Sequence, residues 1–279
     1  MDPTQARPAP PPAEPWAAVV AHYDARGALT PDLMATVQAL HGHGLRVCFV
    51  STGLGDAEAA ALAPFAQVIR RENTGYDFWS YKVGIDHLLP QGPWRRLLLL
   101  NSSVWIDDVG RILGRMQAVR GHFDLLALTM SHEAQPHLQS YWLAFESPQI
   151  LASEAFAGWW GGLQPYSERA QVIAQHELGL SAHFLRAGFR LGALFKPGRE
   201  HRLRAVLRAL DNGRLALPAA DPVLVDPAAA DGLNPTLYAW DGLLGQLGVL
   251  KWELLRRTPP LINLEPLRRD PRLAPLLGP

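Results

Sequence analysis

Two polar segments hold the residue types most able to do chemistry. The first is Arg71-Glu72-Asn73-Thr74-Gly75-Tyr76-Asp77-Phe78-Trp79-Ser80-Tyr81-Lys82. The second is Asn101-Ser102-Ser103, which follows the apolar run Leu97 to Leu100. The spacing places each segment just after a strand. In an α/β sheet both would lie at carboxyl ends of strands, the edge where such sheets bind nucleotides. Gly75 permits a positive φ or a close backbone approach to a ligand. Asp77 stands where it could cap the first N–H groups of a helix. It could equally, with Asn73, hold the hydroxyls of a nucleotide or a sugar. The residues alone leave both readings open.

Asn101-Ser102-Ser103 can hydrogen-bond a sugar. It makes a poor magnesium site, because hard cations prefer carboxylate ligands and this segment has only amide and hydroxyl oxygens. Asp107 and Asp108 come a few residues later and read as the N-cap of a helix from Val109. Glu177, in Gln175-His176-Glu177-Leu178, lies in an otherwise apolar amphipathic pattern. A partly buried carboxylate there suits a general base, and a solvated helix glutamate is the plain alternative. His176 is adjacent in sequence, but neighbouring residues of a helix do not face each other. In His137-Leu138-Gln139-Ser140-Tyr141-Trp142, a His, a Gln and hydroxyls enter a strand. They could line a pocket or serve as satisfied structural groups. The ten histidines show no His-Glu-x-x-His spacing, and no Gly-x-Ser-x-Gly elbow or phosphate-binding Gly-rich loop is present.

Alternating strand-like and helix-like segments would position these groups. Strands are expected over 17–22, 45–51, 67–71, 97–100 and 123–129. Helices are expected over 31–43, 57–65, 78–89 and 109–119. This alternation implies βαβ units and a mostly parallel sheet. Beyond it, 139–145 and 189–195 read as strands, with helices over 148–161 and 168–187, the last closed by Gly188. After Lys196-Pro197-Gly198 the pattern turns irregular, with helical pieces at 237–247 and 250–257. Three parts follow: a Pro-rich, disordered arm over 1–15, a main domain over 16–200, and a C-terminal extension over 201–279 packing on the same domain.

The chain's 279 residues are 48% hydrophobic, with 26 Lys plus Arg balancing 26 Asp plus Glu. That composition fits an ordered globular protein and shows no nucleic-acid-binding footprint. The single cysteine excludes an internal disulfide and any multi-cysteine metal site, and Cys48 reads as a buried thiol. No apolar run approaches the roughly 18 to 20 residues of a spanning helix, and no secretory signal is visible. A cytoplasmic protein is expected, with peripheral membrane association at the inner face left open.

Taken in order, the motifs resemble the rhamnan-synthesis protein F family, glycosyltransferase-like proteins of bacterial polysaccharide assembly. The family's Arg-x-Asn-x-Gly-x-Asp segment and following Lys correspond to Arg71 through Lys82. Its Asn-Asp-Ser corresponds to Asn101-Ser102-Ser103, and its His-x-Gln-Ser-Tyr/Phe to His137 through Tyr141. Asn234-Pro235-Thr236, Trp240 and Lys251-Trp252-Glu253-Leu254-Leu255-Arg256 match its closing motifs. More distantly, Glu177 precedes Gly188 by about the stretch that separates base from helix end in inverting GT-A enzymes.

The resemblance implies an α/β, GT-A-like (Rossmann-like) fold: a mixed, mostly parallel sheet flanked by helices, with a short helical C-terminal extension. It implies a glycosyltransferase moving rhamnose or a related sugar from a donor such as deoxythymidine diphosphate rhamnose to a glycan or lipid-linked acceptor. Glu177 would be the base. Tyr23, Asp24, Ser51, Asn73, Gly75, Asp77, Lys82, Asn101, Ser102 and Ser103 would bind the donor. His137, Gln139, Ser140 and Tyr141 would approach the sugar or acceptor. Two departures stand out. Ser102 replaces the family's Asp, which leaves a divalent metal (Mg or Mn) open but poorly supported, and Tyr76 stands where an Arg is frequent. A non-catalytic sugar-nucleotide or carbohydrate-binding module is the alternative.

Overall fold

A computed structural model describes residues 15–216, 226–256, 263, 265–273 and 276. The arm expected over 1–15 lies, apart from Pro15, outside the described residues. The first half runs β1 (Trp16–His22), α1 (Pro31–Gly42), β2 (Arg46–Ser51), α2 (Asp56–Leu62), β3 (Ala66–Arg70), α3 (Tyr76–Leu88) and β4 (Arg96–Asn101). A short β5 (Val104–Ile106), α4 (Val109–Ala118), β6 (Leu125–Ala127), β7 (Met130–Ser131), β8 (His137–Leu138) and β9 (Trp142–Phe145) follow. Next come α5 (Pro148–Leu151), α6 (Glu154–Gly161), α7 (Arg169–Gln171), a π-helical segment (Val172–Glu177), α8 (Leu178–Arg186) and β10 (Leu191–Ala193). The last elements are α9 (Arg199–Asp211), α10 (Pro235–Tyr238), α11 (Trp240–Leu247), β11 (Val249–Lys251), α12 (Trp252–Arg256) and α13 (Glu265–Arg268).

Seven strands form one sheet in the order β10-β6-β9-β4-β1-β2-β3. All neighbours pair in parallel except β9, which runs antiparallel to β4 and β6. This is the expected architecture, a mixed and mostly parallel sheet flanked by helices. Its central strands read as continuous apolar runs because both faces are covered. Alternate residues serve opposite layers. Ala18, Val20, Phe49, Leu98 and Leu100 pack with α1, α4, α9 and α11. Val19, Cys48, Val50, Leu97 and Leu99 pack with α3, α6 and α8. Each of Leu97 to Leu100 is at most 1% exposed, worth roughly 2–3 kcal/mol of apolar burial apiece. Cys48 sits within this core, and burial pushes its thiol up to about 12.

Two details fix how the sheet carries its loops. Gly84 lets α3 lie directly on β1, since a Cβ there would run into Val19 Cγ1. At the amino ends of the strands, Arg96 and Glu146 form an ion pair of 2.6 Å, with both side chains buried. The Arg96 guanidinium also lies 3.7 Å from the centroid of the Trp16 ring.

The second half departs from the sequence reading in several places, among them the strand expected over 189–195, which is only Leu191–Ala193, and the helix expected over 237–247, which is split at Ala239. The stretch after Gly198 forms a 13-residue helix, α9, whose Ala205, Val206 and Ala209 are buried. Leu250 and Lys251 belong to β11, not to a helix, because they pair antiparallel with β5. The helix expected over 148–161 is broken in two at Ser153, whose hydroxyl accepts the Phe156 N–H and caps the second piece. The strand expected from 139 starts only at Trp142, and the one expected over 123–129 shrinks to Leu125–Ala127.

Candidate functional site

The parallel strands β1 to β4 deliver Tyr23, Ser51, Arg71 and Asn101 to one edge of the sheet. The antiparallel β9 starts at that same edge, so Ser140 and Tyr141 join it, and the Asn101 N–H donates to the Tyr141 carbonyl at 3.2 Å.

The loop after β3 is held from within by Arg71. Its guanidinium donates to the carbonyls of Glu72 and Thr74 (2.7 and 2.5 Å) and of Tyr76 (2.6 Å). It also donates twice to the Ser80 hydroxyl, at 3.0 and 2.7 Å. The loop needs such a clamp. Gly75 has φ 66° and Tyr76, the one non-glycine residue with positive φ among those described, has φ 53°. Left-handed backbone at a bulky residue costs on the order of 1–3 kcal/mol and gathers at functional sites. Asn73 is exposed at the tip of this loop, and Tyr76 turns its ring outward, 43% exposed.

Asp77 does not cap α3. Gly75 holds the cap position, and no side-chain cap bond forms. Instead the Asn101 side-chain amide donates to the Asp77 carboxylate at 2.7 Å. The Asn101 side-chain oxygen accepts from the Ser103 N–H (3.0 Å) and the Ser103 hydroxyl (2.6 Å). The two polar segments singled out in the sequence therefore touch. Burial, then the nearby Glu177 charge, pushes the Asp77 carboxyl up to about 6, against the opposing pull of Asn101, Arg71 and Lys251.

Glu177 closes a six-residue π-helical turn. Such wide turns are frequent at functional sites. Its carboxylate accepts from the Ser140 N–H at 3.0 Å and the Ser140 hydroxyl at 3.1 Å. Ser140 is in turn fixed by the Tyr81 hydroxyl, which donates to its carbonyl at 2.8 Å. Burial pushes the Tyr81 phenol far up, so it stays a donor. His176 points away from Glu177 into an aromatic cluster, 5.2 Å from the Phe78 ring and 5.1 Å from the Tyr166 ring. Burial lowers its pKa to about 4 and keeps it neutral.

The remaining sequence candidates divide sharply. Ser102 is half-buried at the edge, its hydroxyl 3.4 Å from the N–H of exposed Tyr23. Asp24 caps its own turn through the N–H groups of Arg26 and Ala28, and the first of these bonds leads in lowering its pKa. Ser51 is wholly buried, its hydroxyl bonded to His22 and accepting from Gly53 and Leu54. Lys82 pairs with Asp86 at 2.7 Å. His137 is pinned to the Gln135 carbonyl at 2.8 Å. Gln139 accepts from Thr129 and donates to Asn234, while Tyr141 shares a 2.8 Å bond with Thr129. Of the His137 to Tyr141 group, only Ser140 meets Glu177. The others are buried supports beneath it.

Sequence reasoning missed Arg71 as the loop clamp, Tyr81 as the Ser140 support, and Thr129 altogether. It also gave Lys251 no role, although that residue lay within a quoted motif. The Asn101 to Ser103 donors do not suit a divalent ion. The Asn101 oxygen already accepts two hydrogen bonds, and its amide nitrogen is a donor. Among the described residues no three His, Cys, Asp or Glu gather in a metal-binding group.

Comparison with known proteins gives the chain a family. An uncharacterized protein, y4gN, of Sinorhizobium fredii (strain NBRC 101917 / NGR234) is 27% identical over 189 residues, which are 64% of this chain and 48% of y4gN. The chain thus spans about half the length of that curated relative. Glycosyltransferase GlyE of Streptococcus pneumoniae TIGR4 aligns over 72% of this chain and 50% of its own, at 12% identity and a TM-score of 0.42. Mannosyltransferase PcManGT of Pyrobaculum calidifontis, in complex with GDP-Man and Mn2+, aligns over 84% and 74%, at 10% identity and 0.39. Likenesses this loose fix neither substrate nor mechanism. The model of the rhamnan synthesis protein F family, however, matches residues 47–207, more than half of the chain, and the chain belongs to that family.

Proposed function

We propose that this chain is a glycosyltransferase domain that uses a nucleotide-sugar donor, with Glu177 as the base. The reading rests above all on the Glu177 carboxylate, which Ser140 orients and whose charge helps raise the neighbouring Asp77 carboxyl. It stands at the strand-end edge where α/β sheets take nucleotides.

In this reading the donor lies along the ends of β1 to β4. The exposed Tyr23 ring offers a face to the nucleoside base. Asn73 and Asp77 take hydroxyls of the nucleoside or donor sugar. Ser102 and Ser103, with Asn101, lie beside the diphosphate. Glu177 accepts the proton of the acceptor hydroxyl as that oxygen bonds to the anomeric carbon. The bond from that carbon to the diphosphate oxygen breaks, and its electron pair leaves with the nucleoside diphosphate. One such displacement inverts the anomeric centre. Family membership supports rhamnose or a related sugar as the cargo of this reading, with a glycan or lipid-linked acceptor. Among the described residues no helix is long and apolar enough to cross a membrane.

The test is transfer from a panel of nucleotide sugars, deoxythymidine diphosphate rhamnose included, read as release of nucleoside diphosphate with glycan acceptors. Glu177→Gln keeps an oxygen for both Ser140 donors, so donor affinity should hold while turnover falls about 10²–10⁴-fold. Wild-type turnover in the variant removes Glu177 from the role. A protein that binds sugar nucleotides tightly yet transfers nothing is a binding module, and one that binds none is not a transferase.

A further inference from the structure

The unusual feature of this site is that Asn101-Ser102-Ser103, the segment set beside the diphosphate, has no carboxylate of its own to hold a cation, and the one carboxylate that touches it, Asp77, is committed to the Asn101 amide. A sugar nucleotide's diphosphate brings about two negative charges to that segment. Asn101, Ser102 and Ser103 contribute hydrogen bonds there, but no charge.

The C-terminal part of the chain supplies one. Strand β11 pairs antiparallel with β5, setting Lys251 opposite Val104, the residue after Ser103. The next backbone N–H, of Trp252, donates to the Ser103 carbonyl at 3.0 Å. Lys251 is therefore anchored by the ladder beside the very segment that lacks charge. Two cations act on Asp77, namely Arg71 and Lys251. Arg71 is engaged in five hydrogen bonds that hold its loop. Lys251 is partly buried and, among the described residues, pairs with no acid and no hydrogen-bond acceptor. A half-buried lysine without an ion pair or hydrogen bond, fixed by its backbone at the edge of a binding site, is poised for an anion arriving from solution.

We propose that Lys251 provides the positive charge for the donor's diphosphate, so that nucleotide binding here needs no divalent metal. This deepens the glycosyltransferase reading and rests on it. The role extends to the reaction. As the anomeric carbon to oxygen bond breaks, the leaving nucleoside diphosphate gains negative charge, and a preplaced ammonium stabilises that charge without reorganisation. A Lys acts here as a point charge that tolerates several phosphate orientations.

Calorimetric titration with thymidine diphosphate and uridine diphosphate tests the proposal on the full chain, in excess chelator and again in magnesium or manganese. The wild type should bind one of them with the same affinity in all three conditions. Lys251→Met should weaken that binding about 10–100-fold and flatten its salt dependence, while Lys251→Arg should recover most of it. The melting temperature of both variants, read beforehand, separates lost charge from lost fold. If Lys251→Met does not fold, Lys251→Arg and the chelator series still decide. Binding that collapses in chelator, or survives unchanged in Lys251→Met, overturns the proposal and leaves the transferase reading intact. Failure of the wild type to bind either nucleotide, or any member of the nucleotide-sugar panel, under any condition overturns both.

Discussion

Replacing Asp77 by Asn should stabilise the protein near neutral pH and lower its turnover. Burial, followed by the Glu177 charge, pushes the Asp77 carboxyl from its ordinary 3.8 to about 6. A gap of about 2 pH units corresponds to about 3 kcal/mol, at about 1.36 kcal/mol per unit. The folded state thus holds this proton more tightly than the unfolded chain does. The group's contribution to stability is complete below about pH 4, where both states are protonated, and is lost as pH rises through about 6. An Asn at the same place still accepts the Asn101 amide through its side-chain oxygen and carries no charge to bury. The advantage of Asp77→Asn over the wild type should therefore grow by up to about 3 kcal/mol between about pH 4 and pH 7.5. For a chain of this size that is about 6–12 °C in melting temperature. Thermal and urea melts of both proteins across that range measure it. Two stability curves that run parallel with pH would refute the reasoning, because they would mean that Asp77 titrates alike in the folded and unfolded states. A carboxylate kept where it destabilises the fold is the pattern of a functional group, and it is why activity should fall as stability rises.

Two further outcomes test the frame around the site. Gly75→Ala introduces a Cβ 2.6 Å from Trp79 Cβ and 3.0 Å from Pro165, at φ 66°. The strained backbone and the overpacking together should cost about 2–5 kcal/mol, seen as a lower urea midpoint. Glu146→Ala strips the carboxylate from buried Arg96 at the opposite edge of the sheet. It should cost about 3–5 kcal/mol in the same melts while leaving the nucleotide affinity of the folded protein unchanged.

The sequence made the first half of the fold legible because its strands are long apolar runs and its helices are punctuated by turn residues. Thr30, Gly55 and Gly75 precede α1, α2 and α3 as the pattern requires. The second half is built from short pieces whose identity comes from pairing. Leu250 and Lys251 carry a helical-looking sequence, but their backbone is claimed by β5, more than a hundred residues earlier. Helix α9 hides its stripe in small residues, Ala205, Val206 and Ala209, among many arginines. The site shows the same division. Asp77 and Asn101 were legible as candidates by position, yet their mutual hydrogen bond joins segments 24 residues apart and has no local signature. Gln139 and Tyr141 looked like pocket groups because polar side chains in a strand usually face a ligand or water. They instead satisfy one another's layer through Thr129 and Asn234.

The electrostatics of the edge argue for one division of roles over another. Asp77 and Glu177 are like charges near each other, and such a pair resolves by holding one member neutral over a wider pH range. Asp77 is the member that rises, and it does so under a hydrogen bond from Asn101 that fixes its place. Glu177, oriented by both donors of Ser140 at the end of a π turn, is the carboxylate we assign as the base. The cations are divided likewise. Arg71 is locked into the loop that carries Gly75 and Tyr76, so it fixes shape, whereas Lys251 retains an unpaired charge and is the cation we assign to the ligand. Exchanging those duties would leave a strained loop without its clamp and a point charge with nothing to hold. The geometry therefore supports Glu177 as base, Asp77 as donor contact and Lys251 as anion partner as one consistent set.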